Sequence, residues 1–172
     1  MDMTDHSEDH SEEDNDPTLY VVESTDDLAG PLDLPLEVTK VWIAQLPGPV
    51  TLPLFPPRIT EVFLVEVRIE GPVVFGEGLE RLTLAEITSD QPIGEWVFPN
   101  SLRWMEISDM EHPLIDLART SIEEIFIWQQ MTPGDNFHLP RGLKKLVLGG
   151  SLAEYARRDL PKLPDSLTHL VL

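Results

Sequence analysis

Leu79-Glu80-Arg81-Leu82-Thr83-Leu84-Ala85 opens the stretch LERLTLAEITSDQPIGEWVFPNSL, residues 79–102, and its reading decides the fold. Leu82 and Leu84 alternate with polar or small neighbours, the period-two pattern of a strand with one buried face. Leu79 precedes them by three, giving the frame L-x-x-L-x-L. A proline- and glycine-bearing return follows before the frame starts again at Leu102. With Ile, Val or Met allowed, the frame occurs at Val38/Val41/Ile43, Ile59/Val62/Leu64, Leu79/Leu82/Leu84 and Leu102/Met105/Ile107. It continues at Ile122/Ile125/Ile127, Leu143/Leu146/Leu148 and Leu167/Leu170/Leu172. The steps are 21, 20, 23, 20, 21 and 24 residues.

A period of 20–29 residues with this frame is that of leucine-rich repeats. The expected fold is therefore a β-rich leucine-rich-repeat solenoid of the α/β class. About seven parallel strands form one face, and the returns are mostly non-helical. LPGPVTLPLFPP, EGPVVFGEG, SDQPIGEWVFPN and MTPGDNFHLPRG suit extended chain and turns better than helices. Their Leu, Val and Phe residues are expected to line the far wall of the core. Helix is expected only around Pro113–Thr120 and Leu152–Arg158, where good helix formers gather. Residues 38–172 carry the repeats. Residues 17–37 form an N-terminal cap or a degenerate eighth repeat, since Pro17/Tyr20/Val22 lies one step before the first frame. Residues 1–16 read as a disordered acidic tail.

The units resemble the FNIP subtype of leucine-rich repeat, known from amoebae and from some large viruses that infect them. Asp90-Gln91-Pro92-Ile93 and Phe98-Pro99-Asn100-Ser101-Leu102 carry the likeness, with echoes at Leu139-Pro140-Arg141-Gly142-Leu143 and Leu163-Pro164-Asp165-Ser166-Leu167. The resemblance covers roughly residues 30–172 and implies a protein-binding module. The chain departs from the general repeat at the ninth position, usually an Asn that satisfies turn backbone. Leu46, Val67, Ile87, Met110, Gln130 and Ser151 stand there, so that backbone needs other partners.

Charge and composition narrow the function. The chain has 172 residues, no cysteine and a net charge of −19. Thirteen acids and no Lys or Arg precede Lys40; from there on 18 acids face 12 bases. Such a balance disfavours nucleic acid, whose phosphates need clustered cations. Without cysteine there is neither disulfide nor thiolate metal site. The opening MDMTDHSEDH has no signal-peptide pattern, and no apolar run is long enough to span a membrane. A cytoplasmic protein is expected, in host cytoplasm or virion if the source is viral. His6 and His10 lie among tail carboxylates, and Ser11 precedes Glu12-Glu13-Asp14 in the manner of an acidic-directed kinase site. His112, His138 and His169 share no column, and no catalytic motif occurs. Neither metal nor cofactor is expected, and no enzymatic activity.

A strand's third, fifth and seventh frame positions face away from the core. Five large aromatics, Trp42, Phe63, Trp104, Phe126 and Trp128, fall on that face together with Glu124. They are the expected partner-binding residues, because exposed aromatic patches mark interfaces; the alternatives are cover by the chain's own N-terminal segment and plain cross-strand stacking. The partner is a protein, and the acidity of the chain suits a basic one. The last frame ends at Leu172, so Ser166, Thr168, His169, Leu170, Val171 and Leu172 are a candidate self-association edge, for a homodimer across a two-fold axis. Three function classes follow: a non-catalytic binding module, an acidic inhibitor or immunity-type protein, and a self-assembling component, for example of a virus particle.

Overall fold

A computed structural model describes residues 16–30, 32–110, 116–128, 138–149 and 162–172. The expected acidic tail, its histidines and Ser11 all lie outside the described residues apart from Asp16. So does the helix expected at Leu152–Arg158.

The described chain is a β-rich coil built on one parallel sheet. Eight strands lie side by side in chain order: β1 (Leu19–Val22), β2 (Lys40–Ala44), β3 (Glu61–Val65), β5 (Arg81–Ala85), β7 (Trp104–Ser108), β8 (Glu124–Trp128), β9 (Lys145–Leu148) and β10 (His169–Val171). Two-residue strands β4 (Arg68–Ile69) and β6 (Thr88–Ser89) form a second small parallel ladder on the return. Short 3-10 helices at Thr25–Leu28 and Ile93–Glu95 are the only helices among the described residues.

The register follows the sequence frame without a slip. Tyr20, Val41, Val62, Leu82, Met105, Ile125, Leu146 and Leu170 pair in one column across the sheet. From Val41 to Leu146 this column is buried, and so is the next, Ile43 to Leu148. At the start of each strand one carbonyl accepts two amides of the following turn. Thr39 O takes Thr60 and Glu61 N–H, and Glu80 O takes Arg103 and Trp104 N–H. Parallel strands in a coil thus satisfy their backbone from turn to turn.

Prolines time five of the turns. The carbonyls of Pro35, Pro56, Pro99, Pro140 and Pro164 accept the N–H three residues on, at the first apolar residue of the following frame. Just before these prolines stand Leu34, Phe55, Phe98, Leu139 and Leu163. Phe75 holds the equivalent place before Gly76. Phe55 stacks on Phe75 with centroids 6.4 Å apart, and Phe75 on Phe98 at 5.8 Å. These rings are the far wall expected of the returns. Two motif serines bind neighbouring turns together: Ser101 Oγ donates to Leu79 O at 2.7 Å and Ser166 Oγ to Leu143 O at 2.7 Å.

The ninth-position question has a clear answer. Leu46, Val67, Ile87 and Met110 are buried and form a further core column. The residue before each, Gln45, Glu66, Glu86 or Asp109, takes a left-handed φ of 45–53°. That twist leads the chain off the sheet and leaves backbone N–H groups aimed along the coil. Gln45, Glu66 and Glu86 N–H bond to the carbonyls of Val65, Ala85 and Ser108 on the next turn. Backbone therefore does what an asparagine ladder would do.

The helix expected around Pro113–Thr120 is corrected over its described part. Asp116 forms a parallel bridge with His138, and Thr120 N–H closes a turn onto Leu117 O at 3.0 Å. Leu117 is fully buried there beside the bridged Asp116, so the segment continues the return wall before it turns. Core placement overrides local propensity.

Candidate functional site

The open face of the eight-stranded sheet consists of three rows, each a register column. The first row runs Lys40, Glu61, Arg81, Trp104, Glu124, Lys145, His169. Charge alternates along it. Asp16 meets Lys40 Nζ at 2.9 Å, Glu61 meets Arg81 at 3.8 Å and Glu124 meets Lys145 at 3.6 Å. Trp104 interrupts the alternation, and the Arg81 guanidinium lies 4.3 Å from its ring centroid. Lys145 likewise stands 4.8 Å from the Phe126 ring. Exposed ion pairs of this kind contribute little each, but they hold long side chains flat against the sheet.

The middle row is the apolar one: Val21, Trp42, Phe63, Thr83, Glu106, Phe126, Val147, Val171. Ala44, Val65, Ala85, Ser108 and Trp128 form the third row, small except for its last member. Trp42 is 38% exposed and Trp128 46%, while Phe63, Trp104 and Phe126 are half-buried. All five expected aromatics and Glu124 lie on one face. They do not make one stripe. Trp42 stacks on Phe63 at 5.3 Å, and Trp104 tilts against Phe126 at 5.3 Å. Thr83 and Glu106 part the two pairs, leaving a depression of about 380 Å³ between Phe63 and Trp104. Trp128 stands apart, packed over Gly149, where an added Cβ would strike its ring.

Val147, whose alternation placed it on the wet face, is only 7% exposed there and lies outside the core cluster. Its register neighbours are Phe126 and Val171, which shield it from both sides.

Of the candidate self-association residues, His169, Leu170 and Val171 pair with β9, and two more are tied to the preceding turn by their side chains. Ser166 Oγ bonds to Arg141 O and Leu143 O, and Thr168 Oγ1 to Lys144 O at 3.0 Å. His169 Nδ1 lies 2.9 Å from Thr168 Oγ1. Leu170 sits in a core-facing column yet is 39% exposed, and Val171 and Leu172 are exposed too.

Two features escaped the sequence reading. Glu106 is the sole acid of the middle row, visible as an outward position but not as an unpaired charge. Leu54, Val74 and Val97 form an exposed apolar patch on the return wall, where Val74 bridges Val97. The signal was present, since each lies five residues before a frame.

Among the described residues no three His, Cys, Asp or Glu side chains gather as a metal site, and no helix is long and apolar enough to cross a membrane. No family model, curated protein or solved structure matches this chain.

Proposed function

We propose that this chain is a leucine-rich-repeat solenoid of FNIP-like type that works without catalysis, holding a basic protein partner against its sheet. One observation carries the reading: two aromatic pairs and Trp128 stand partly in water on a surface whose charged side chains, Glu106 apart, are largely paired with one another. Large aromatics on a pre-formed sheet bury area at little entropic cost, which is what interface anchors do. The repeat frame and the Leu-Pro turns support the family reading. The charge of −19 supports a basic partner, because it raises the encounter rate with cations.

Affinity of the purified partner for wild type, Trp42→Ala and Trp128→Ala tests it. Each substitution is expected to weaken binding by about 1–3 kcal/mol in a protein that still unfolds cooperatively. Unchanged affinity in both variants contradicts it. An acidic inhibitor of a basic target is one form of this reading, in which the association rate falls steeply with salt.

Exposure of core-facing Leu170 favours a second reading, self-association through β10 as in a homodimer or a self-assembling component. Sedimentation of wild type against Leu170→Lys decides it. A monomer at tens of micromolar ends that reading.

A further inference from the structure

The depression between Phe63 and Trp104 is floored by Thr83 and closed on one side by Glu106. We propose that it is a socket for a single lysine or arginine side chain of the partner, with Glu106 as the carboxylate that receives the charge. The inference rests on the sheet-face reading above and sharpens it to one anchor.

The other carboxylates of this face, Glu61 and Glu124, stand within 4 Å of a cation on the neighbouring strand. Glu106 forms no ion pair with any described residue. It is half-buried, so its charge is only partly hydrated. Arg81 lines the same depression, but its guanidinium is taken up by the Trp104 ring and by Glu61. Short Thr83 stands in a row of bulky residues, and its size opens the space above it. An aliphatic stem laid over the Thr83 methyl and the Phe63 ring would bring its cationic head to the Glu106 carboxylate, while the Trp104 ring, already carrying Arg81, walls the space. A carboxylate entering the same space would meet Glu106 and Glu61, and is repelled. The wider charge of the chain acts in the same sense, steering cations toward the sheet.

The test uses the full chain and two capped peptides, acetyl-Gly-Leu-Arg-Leu-Gly-amide and the same peptide with citrulline for arginine. Citrulline keeps the shape and removes the charge. Both are titrated while the Thr83 methyl and Trp104 indole N–H signals are followed by NMR, whose spectrum also reports folding of each variant. The arginine peptide is expected to shift both signals saturably and to bind about fivefold tighter than the citrulline peptide. Glu106→Gln is expected to abolish that difference, and Glu70→Gln, which removes a carboxylate paired with Arg68 off the sheet face, to keep it. Equal binding of the two peptides to wild type, or a difference that survives Glu106→Gln, overturns the socket and leaves the sheet-face reading standing. Peptides that shift only residues off the sheet, or that shift nothing, overturn the socket as well. The sheet-face reading itself stands or falls separately, on the Trp42 and Trp128 variants with the partner.

Discussion

The Trp42 and Phe63 rings stack across neighbouring strands, centroids 5.3 Å apart and planes 21° from parallel. Such a pair is worth about 0.5–1.5 kcal/mol beyond its buried area. A double-mutant cycle of Trp42→Ala and Phe63→Ala, read by urea unfolding, is expected to return a coupling of that size. Zero coupling means that the rings do not stack in solution and stand free.

Glu86 holds a φ of 53°, where a side chain crowds its own backbone. Glycine relieves this crowding and a β-branched residue worsens it. Glu86→Gly is expected to be more stable than Glu86→Val by about 1–2 kcal/mol, measured by chemical denaturation. Equal stability contradicts the left-handed turn that ends β5.

Gly78 and Gly142 occupy the same frame position in different turns, one residue before the strand frame. A Cβ at Gly78 would collide with the carbonyl of Pro57, whereas one at Gly142 would meet open space. Gly78→Ala is therefore expected to cost more than about 1 kcal/mol, because backbone must move. Gly142→Ala is expected to change stability by less than about 0.5 kcal/mol. Thermal midpoints of the two variants give the comparison.

Acid acts on the first turn through Asp16. The Thr18 hydroxyl, Lys40 and the Thr18 N–H lower its pKa from 3.8 to about 2, and Lys40 is raised in turn. A carboxyl that ionises more readily when folded stabilises fully above its unfolded pKa and loses that contribution as pH falls through the folded one. For Lys40 the contribution is present below its ordinary pKa and lost above the raised one. The stability difference between wild type and Asp16→Asn is expected to be flat from about pH 5 to 9 and to shrink between about pH 4 and 2. Taking the difference cancels Glu123, which the Lys144 hydrogen bond lowers in both proteins.

The sequence made the sheet legible because strand alternation and a 20–24-residue step repeat at every frame, from Val38/Val41 to Leu167/Leu170. The far wall was legible in kind, since Phe55, Phe75 and Phe98 recur at one place. Contacts across turns were harder to see. The left-handed residues Gln45, Glu66, Glu86 and Asp109 share no turn-forming residue type, and tertiary hydrogen bonds rather than local preference fix their φ. Propensity suggested helix near Thr120, where Asp116 instead bridges His138, Leu117 is buried and the chain turns at once. Within the site, the row assignment of Trp42, Phe63 and Phe126 could be read, but the break at Thr83 and Glu106 depends on side-chain pairing across four strands. Register sets Arg81 between the strands of Glu61 and Glu106, and only geometry assigns it to Glu61.

Besides the β10 end, the aromatic sheet face and the Leu54/Val74/Val97 wall are exposed apolar surfaces among the described residues. Methyl NMR of the full chain, titrated with peptides selected against it from a random library, distinguishes them directly. Shifts at Ala44, Val65, Thr83 and Ala85, with Leu54, Val74 and Val97 silent, are the predicted result. Shifts confined to Leu54, Val74 and Val97 would contradict the sheet face as the place where this protein holds its partner.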